Sequence, residues 1–312
     1  TSSFSAVDYR RGAAERDGFH NWQASGKLGF TLPKDGRLEL ALRWWNSDVG
    51  GDSAFGNTRL DVFGSKTTTR TLILSGTYDQ PITPWWSQKL TFARNNERQI
   101  FLSGTLQRDL VTGAMSVPFP ADSDLNIVNQ RFEWQHNLQV LKPLLVTVGY
   151  QFRQEQGDAV GFFGAAQPNR LITSNAGFAQ AQFSWQDRLL LTAGVRQDEY
   201  NVFKSATTYR ATGGYLFPEI GTKVRASYGT GFRTPTLNDL FFQGSDNPNL
   251  KPEKSQSFDV GIDQSLLDGK VQLTAGYFWN RFRDLIQFQT VPSLVCPPST
   301  FGFCPLNVAL AK

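Results

Sequence analysis

No stretch of this chain approaches the roughly 18 consecutive apolar residues that a membrane-crossing helix requires, so helical spans are excluded. Charge of one sign is no more abundant. The formal net charge is +4 over 312 residues, and Lys and Arg are scattered, which argues against a nucleic-acid partner. Histidine is limited to His20 and His136, remote from each other in sequence, which leaves little for a zinc set or a nucleophile–base pair. Asp48 and Asp52 in NSDVGGDS resemble a calcium loop but lack its full ligand set. No catalytic residue, metal ligand or cofactor is therefore assigned. Cysteine is confined to Cys296 and Cys304 in VPSLVCPPSTFGFCPLN. Two cysteines in one polar loop suggest a local disulfide in an oxidising compartment, with two unpaired thiols as the alternative. Closing so short a loop would stabilise the fold by roughly 2–3 kcal/mol. A charged start followed by an apolar core is absent too, since the chain opens Thr-Ser-Ser-Phe. Either a leader was removed or the chain is an internal piece. Its stop at Ala309–Lys312, where another strand begins, favours the second.

What the chain has is alternation. In VRASYGTGF, Val224, Ala226, Tyr228, Thr230 and Phe232 fall on one side of an extended strand, and Arg225, Ser227, Gly229 and Gly231 on the other. SFDVGIDQSL sets Phe258, Val260 and Ile262 against Asp259, Gly261 and Asp263. After a tight turn at Asp268-Gly269 the chain returns through Val271, Leu273, Ala275, Tyr277 and Trp279. The same two-faced reading holds for Trp22–Leu32, Leu38–Trp44, Phe132–Val140, Leu144–Phe152, Gly177–Trp185 and Leu189–Val195. Several runs reach the 9–11 residues of a tilted spanning strand, and about a dozen to fourteen strands are expected.

The connections alternate as well. Short turns are expected near Pro33–Gly36, Pro81–Trp86, Leu141–Pro143, Gln186–Arg188, Pro218–Gly221 and Leu267–Gly269. Longer polar links fall at Asn46–Thr69, Asn95–Leu125, Gln156–Ile172, Gln197–Thr207, Arg233–Ser255 and Thr290–Leu306. One end of the wall thus has tight turns and the other long loops, as in outer-membrane barrels. Aromatic residues gather at two levels, Phe30, Trp85, Trp86, Trp185 and Phe217 near short turns and Trp44, Tyr78, Tyr150, Tyr228 and Trp279 toward long loops. His136, between Trp134 and Leu138, is expected at an interface or facing lipid. The expected fold is all-β, a transmembrane antiparallel up-and-down β-barrel; a soluble sandwich or propeller is the alternative.

SYGTGFRTPTLNDLF followed by NPNLKPEKSQSFDVGID resembles the TonB-dependent outer-membrane receptors. The matches are Tyr228, Gly229, Gly231, Phe232, Arg233 and Pro235, then Asn247, Pro248, Leu250, Pro252 and Glu253. Tyr277, Asn280, Asp284, Leu285 and Ile286 resemble the family's next strand, and Asp17, Gly18 and Phe19 an early one. Pro235, Pro248 and Pro252 cannot donate ladder hydrogen bonds and belong outside the sheet, so the motif reads as mostly architectural.

The resemblance implies a barrel of about 22 strands with an N-terminal plug, of which residues 1–312 would be a partial barrel without the plug, incomplete at both ends. It also implies an importer for a scarce nutrient, a ferric siderophore or cobalamin, in a Gram-negative outer membrane. Its partners would be the bilayer and lipopolysaccharide, the metal-chelate or cobalamin-type ligand, and TonB through the plug. A passive diffusion porin and an outer-membrane enzyme are the rival readings. Expected ligand contacts are Arg233, Phe241 and Phe242 in the long loop, with Phe241-Phe242 able instead to pack that loop. Arg210, Lys223 and Arg225 are expected on the lumen face, attracting an anionic chelate or pairing with plug carboxylates.

Overall fold

The computed structural model describes residues 2–4, 17–51, 60–118, 122–160, 166–241, 247–290 and 303–311. Strands β1 (Ser2–Phe4), β2 (Asp17–Leu32), β3 (Gly36–Gly50), β4 (Leu60–Thr83) and β5 (Trp86–Asp109) come first. A two-residue strand, β6 (Met115–Ser116), pairs only with β5. Then follow β7 (Ser123–Leu141), β8 (Leu144–Val160), β9 (Ala166–Trp185), β10 (Leu189–Tyr200) and β11 (Ala206–Phe217). β12 (Thr222–Arg233), the short helix α1 (Leu237–Phe241), β13 (Glu253–Leu266), β14 (Val271–Thr290) and β15 (Phe303–Ala311) complete the order. Apart from β6, each strand pairs with its chain neighbour in one antiparallel sheet, and among the described residues β1 and β15 remain its two edges.

Local chemistry explains the hairpins. Lys34 and Asp35, Gln186 and Asp187, and Leu267 and Asp268 all take positive φ, the backbone of a two-residue turn whose twist matches the flanking strands. Their closing bonds include Arg188 N–H to the Trp185 carbonyl at 3.0 Å and Gly269 N–H to the Leu266 carbonyl at 3.1 Å.

Register carries the alternation across the sheet. Leu42 faces Gly26 and Leu74, and Val260 faces Ala226 and Tyr277, so apolar side chains form a continuous band on one face. Nothing among the described residues covers that band. Trp22 is 71% exposed, Leu28 63% and Leu273 56%. A sandwich or propeller would bury these residues under a second layer, and none exists among the described residues. A single-layer wall that exposes its apolar face needs an apolar solvent.

The opposite face is polar and internally paired. Lys27 meets Glu39 at 3.0 Å on β2 and β3. On β12 the Arg225 guanidinium lies over Gly261, where a Cβ would come within 2.8 Å of the guanidinium carbon. From there it reaches Asp263 at 3.3 Å and Asp259 at 3.8 Å on β13. Arg225 thus finds its carboxylates within the wall itself.

Two expectations need correction. β3 runs on to Gly50, and β4 and β5 run 24 residues each, well beyond the apolar band, so the link expected at Asn46–Thr69 shrinks at both ends and the one expected from Asn95 begins only after Asp109. Where both faces meet water the period-two signal vanishes while the hydrogen-bond ladder continues; Thr67, Thr68 and Thr69 still pair with β3 and β5. For the same reason Tyr78 is misplaced by sequence. It pairs with Leu38, and its hydroxyl donates to Gln80 at 3.0 Å, whose amide reaches the Lys34 carbonyl at 2.8 Å. Tyr78 therefore lies at the short-turn end. His136 lies near that end as well, accepting from Trp86 Nε1 at 3.1 Å with the Trp134 ring centroid 4.7 Å away.

Candidate functional site

The motif Phe232-Arg-Thr-Pro through Asn247-Pro-Asn-Leu-Lys-Pro-Glu builds the connection between β12 and β13 at the long-loop end. Thr236 and Asp239 cap α1 reciprocally. The Thr236 N–H and hydroxyl donate to one Asp239 oxygen at 2.9 and 2.8 Å, and Asp239 N–H returns to Thr236 Oγ1 at 3.1 Å. Capping directs Leu237 and Leu240 into a small apolar core with Ile172 and Leu250. Ile172 is on the polar face of β9, register-matched to Glu155, so the loop folds over the polar side of the wall. Gly157 on β8 makes room for it, since a Cβ there would lie 2.8 Å from Leu237 Cδ1.

The second half of the motif ties the loop to three strands. Asn247 Oδ1 accepts the Asn249 N–H at 3.0 Å, and its amide donates to the Pro305 carbonyl of β15 at 3.0 Å. Lys251 N–H donates to Asn307 at 2.7 Å, and the Asn307 amide returns to the Lys251 and Asp284 carbonyls at 2.8 and 2.7 Å. Arg233 donates through Nε at 2.7 Å and through Nη2 to the two oxygens of Glu253, which also accepts the Ile286 N–H at 2.8 Å. The arginine and glutamate that end the two halves of the motif thus clamp β12, β13 and β14 together.

That clamp depends on pH. Glu253 sits on the loop side of Phe258, and the Arg233 hydrogen bonds hold its carboxyl below the ordinary glutamate range; burial opposes this and the Ile286 N–H adds to it. A depressed carboxyl contributes stability that is present above the unfolded value of roughly 4.3 and lost as pH falls through the lower folded value. The Ile286 amide should therefore keep its exchange protection factor from neutral pH down to the unfolded value and lose it progressively as pH falls further, through the lower folded value. In Glu253→Gln the factor should be lower throughout and nearly flat. An unchanged pH profile in that variant would contradict the clamp.

The expected ligand residues fall unevenly on this geometry. Arg233 spends two nitrogens on Glu253. Phe241 packs beside the small core, and the Arg170 guanidinium lies 4.7 Å from its ring centroid. Phe242 and Cys296 lie outside the described residues, while Cys304 is buried on β15. Asp48 accepts from the Thr68 hydroxyl at 2.6 Å and meets Lys66 at 3.1 Å; Asp52 lies outside the described residues. Among the described residues no His, Cys, Asp or Glu group is arranged to hold a metal ion.

One network escaped sequence reasoning. On the polar face Arg196 donates to both Asp198 oxygens at 2.8 Å and to Gln151 at 2.8 Å, and Gln151 donates to Glu133 at 2.6 Å. Arg196 and Asp198 two residues apart on one strand were the available signal. The chain Glu133–Gln151–Arg196–Asp198 crosses from β7 to β10 and fixes charged groups along the polar wall just below α1. With the loop above it, this surface can present fixed donors and acceptors to a polar solute.

Comparison with known proteins agrees with this architecture. The family model described as TonB dependent receptor-like, beta-barrel, matches residues 2–311. The vitamin B12 transporter BtuB of Vibrio vulnificus is 30% identical over 155 residues, half of this chain and 25% of that protein. The BtuB of Photobacterium profundum is 38% identical over 80 residues, 25% of this chain and 13% of that protein. Among solved structures, the copper transporter OprC superposes with a TM-score of 0.71 at 14% identity, over 94% of this chain and 48% of that one. The siderophore receptor PirA from Acinetobacter baumannii gives a TM-score of 0.71 at 15% identity, over 98% of this chain and 50% of that one. The matched region is thus about a quarter or less of those curated relatives and about half of those structures. By its family match the chain belongs to the TonB dependent receptor-like β-barrels.

Proposed function

We propose that this chain forms part of the wall of an outer-membrane receptor that takes up a scarce nutrient, with cobalamin or a ferric siderophore as the substrate class and energy supplied through TonB. The carrying observation is the two-faced wall: an uncovered apolar band on one side and a paired polar surface, roofed by the motif loop, on the other. Placed in a Gram-negative outer membrane, the apolar band meets acyl chains and the polar face lines the lumen. Family membership supports the receptor reading, and similarity to BtuB supports cobalamin as the first substrate to test. The motif loop stands where ligand would pass, so Arg233, Phe241 and Phe242 remain proposed contacts. The Cys296–Cys304 disulfide also remains a proposal. No bond-making chemistry is assigned.

The test is growth. A strain deleted for the full-length gene should fail on limiting cobalamin or on one ferric siderophore as sole source, and the gene should restore growth only where TonB is intact. Uptake that persists without TonB would point to passive diffusion instead.

A further inference from the structure

β11 and β12 stay in register as far as Arg210 and Gly229. Beyond that pair they part, and Thr230 Oγ1 enters the gap to accept the Tyr209 N–H at 2.9 Å. The gap opens into a cavity of about 240 Å³ whose lining includes Thr207, Lys254, Gln256, Arg281 and Arg283. Register sets Lys254 directly opposite Arg283 and Gln256 opposite Arg281, extending the apolar-face row of Val260–Tyr277 and Phe258–Trp279 toward the loops. Like charges facing each other across a ladder are destabilising on their own. No carboxylate lines the cavity, and none of the three cations forms an ion pair among the described residues. Arg281 adds an independent observation: its Nε is shielded from solvent and meets no acceptor. A larger cavity on the same face, around Arg70 and Arg98, differs. There Asp124 takes Arg98 in a two-pronged pair and Asp158 joins the lining.

We propose that Lys254, Arg281 and Arg283 form a binding site for a phosphate group. A tetrahedral phosphate oxygen would accept from Arg281 Nε and from the facing ammonium and guanidinium, relieving the like-charge pair. The site lies just beyond the aromatic level of Phe258 and Trp279 on the apolar face, where a phosphorylated lipid headgroup would sit. That source rests on the lipid-facing reading proposed above; inorganic phosphate shares the chemistry.

The test uses the full-length receptor purified in neutral detergent, titrated in one arm with inorganic phosphate and in the other with micelles carrying phosphatidic acid or diacylglycerol. Wild type should bind phosphatidic acid micelles and ignore diacylglycerol. Arg281→Gln/Arg283→Gln should weaken that binding by at least about tenfold, Arg281→Lys/Arg283→Lys should recover much of it, and Arg98→Gln should leave it unchanged. Compact mobility on unheated gels checks that each variant folds. Inorganic phosphate binding with the same loss would keep the site and assign it a soluble source. Equal binding by wild type and the double glutamine variant in both arms would overturn it. Micelle binding does not depend on uptake, so loss of TonB-dependent growth and loss of this site are separate outcomes.

Discussion

Ile262→Arg should destabilise the folded receptor in lipid vesicles by about 2–4 kcal/mol, the cost of an arginine near the middle of an apolar band. Ile262 pairs with Val224 and Ala275, about midway between the short turn at Leu267 and the boundary at Phe258, with no neighbouring carboxylate on that face to receive the charge. Gln180→Arg provides the control. Gln180 faces Thr147 and Gly194 on the polar side, where an arginine meets water and polar neighbours, so the change should stay within about 1 kcal/mol. Urea unfolding of both variants in vesicles gives the difference. Equal costs would mean that the two faces meet the same solvent.

Leu240→Ala should release the motif loop without unfolding the sheet. Leu240 is 3% exposed and belongs to a core of four buried side chains, so there is little material to collapse into the space it leaves. Truncating a buried leucine costs about 2–5 kcal/mol. That is enough to open a small satellite core while the ladder on either side persists. Protection of the Asn247 amide, which donates to the Asp239 carbonyl at 2.9 Å, should fall by at least an order of magnitude. Amides in the middle of β13 should not change. Loss of protection throughout β13 would mean that the loop core supports the whole wall.

Much of the wall was legible because its two solvents differ. Val271, Leu273, Ala275, Tyr277 and Trp279 read as one face of β14 without any structure, and the register confirms them as a single row. The prolines of the motif were legible for a similar reason: Pro235, Pro248 and Pro252 all fall between β12 and β13. Legibility stops where that contrast stops. Asn95 to Gln99 continue β5 with water on both faces, so nothing in their order distinguishes strand from loop. The loop's interior was hidden for another reason. Arg233 and Glu253 meet across 20 residues, and Asn307 closes on Lys251 across 56, pairings that only the completed sheet brings together. Phe241-Phe242 stood out in the sequence as a ligand contact or as loop packing, whereas the less conspicuous Leu237, Leu240 and Leu250 form the buried core, with Phe241 packed beside it.

The most direct measurement is a nitroxide scan along β13, from Gln256 to Gln264, in full-length receptor lacking Cys296 and Cys304 and reconstituted in lipid vesicles. Oxygen accessibility should peak at Phe258, Val260 and Ile262, and accessibility to a water-soluble nickel chelate at Asp259, Gly261 and Asp263. Low accessibility to both reagents at Val260 and Ile262 would place them in a dry protein interior and contradict a wall that divides hydrocarbon from water.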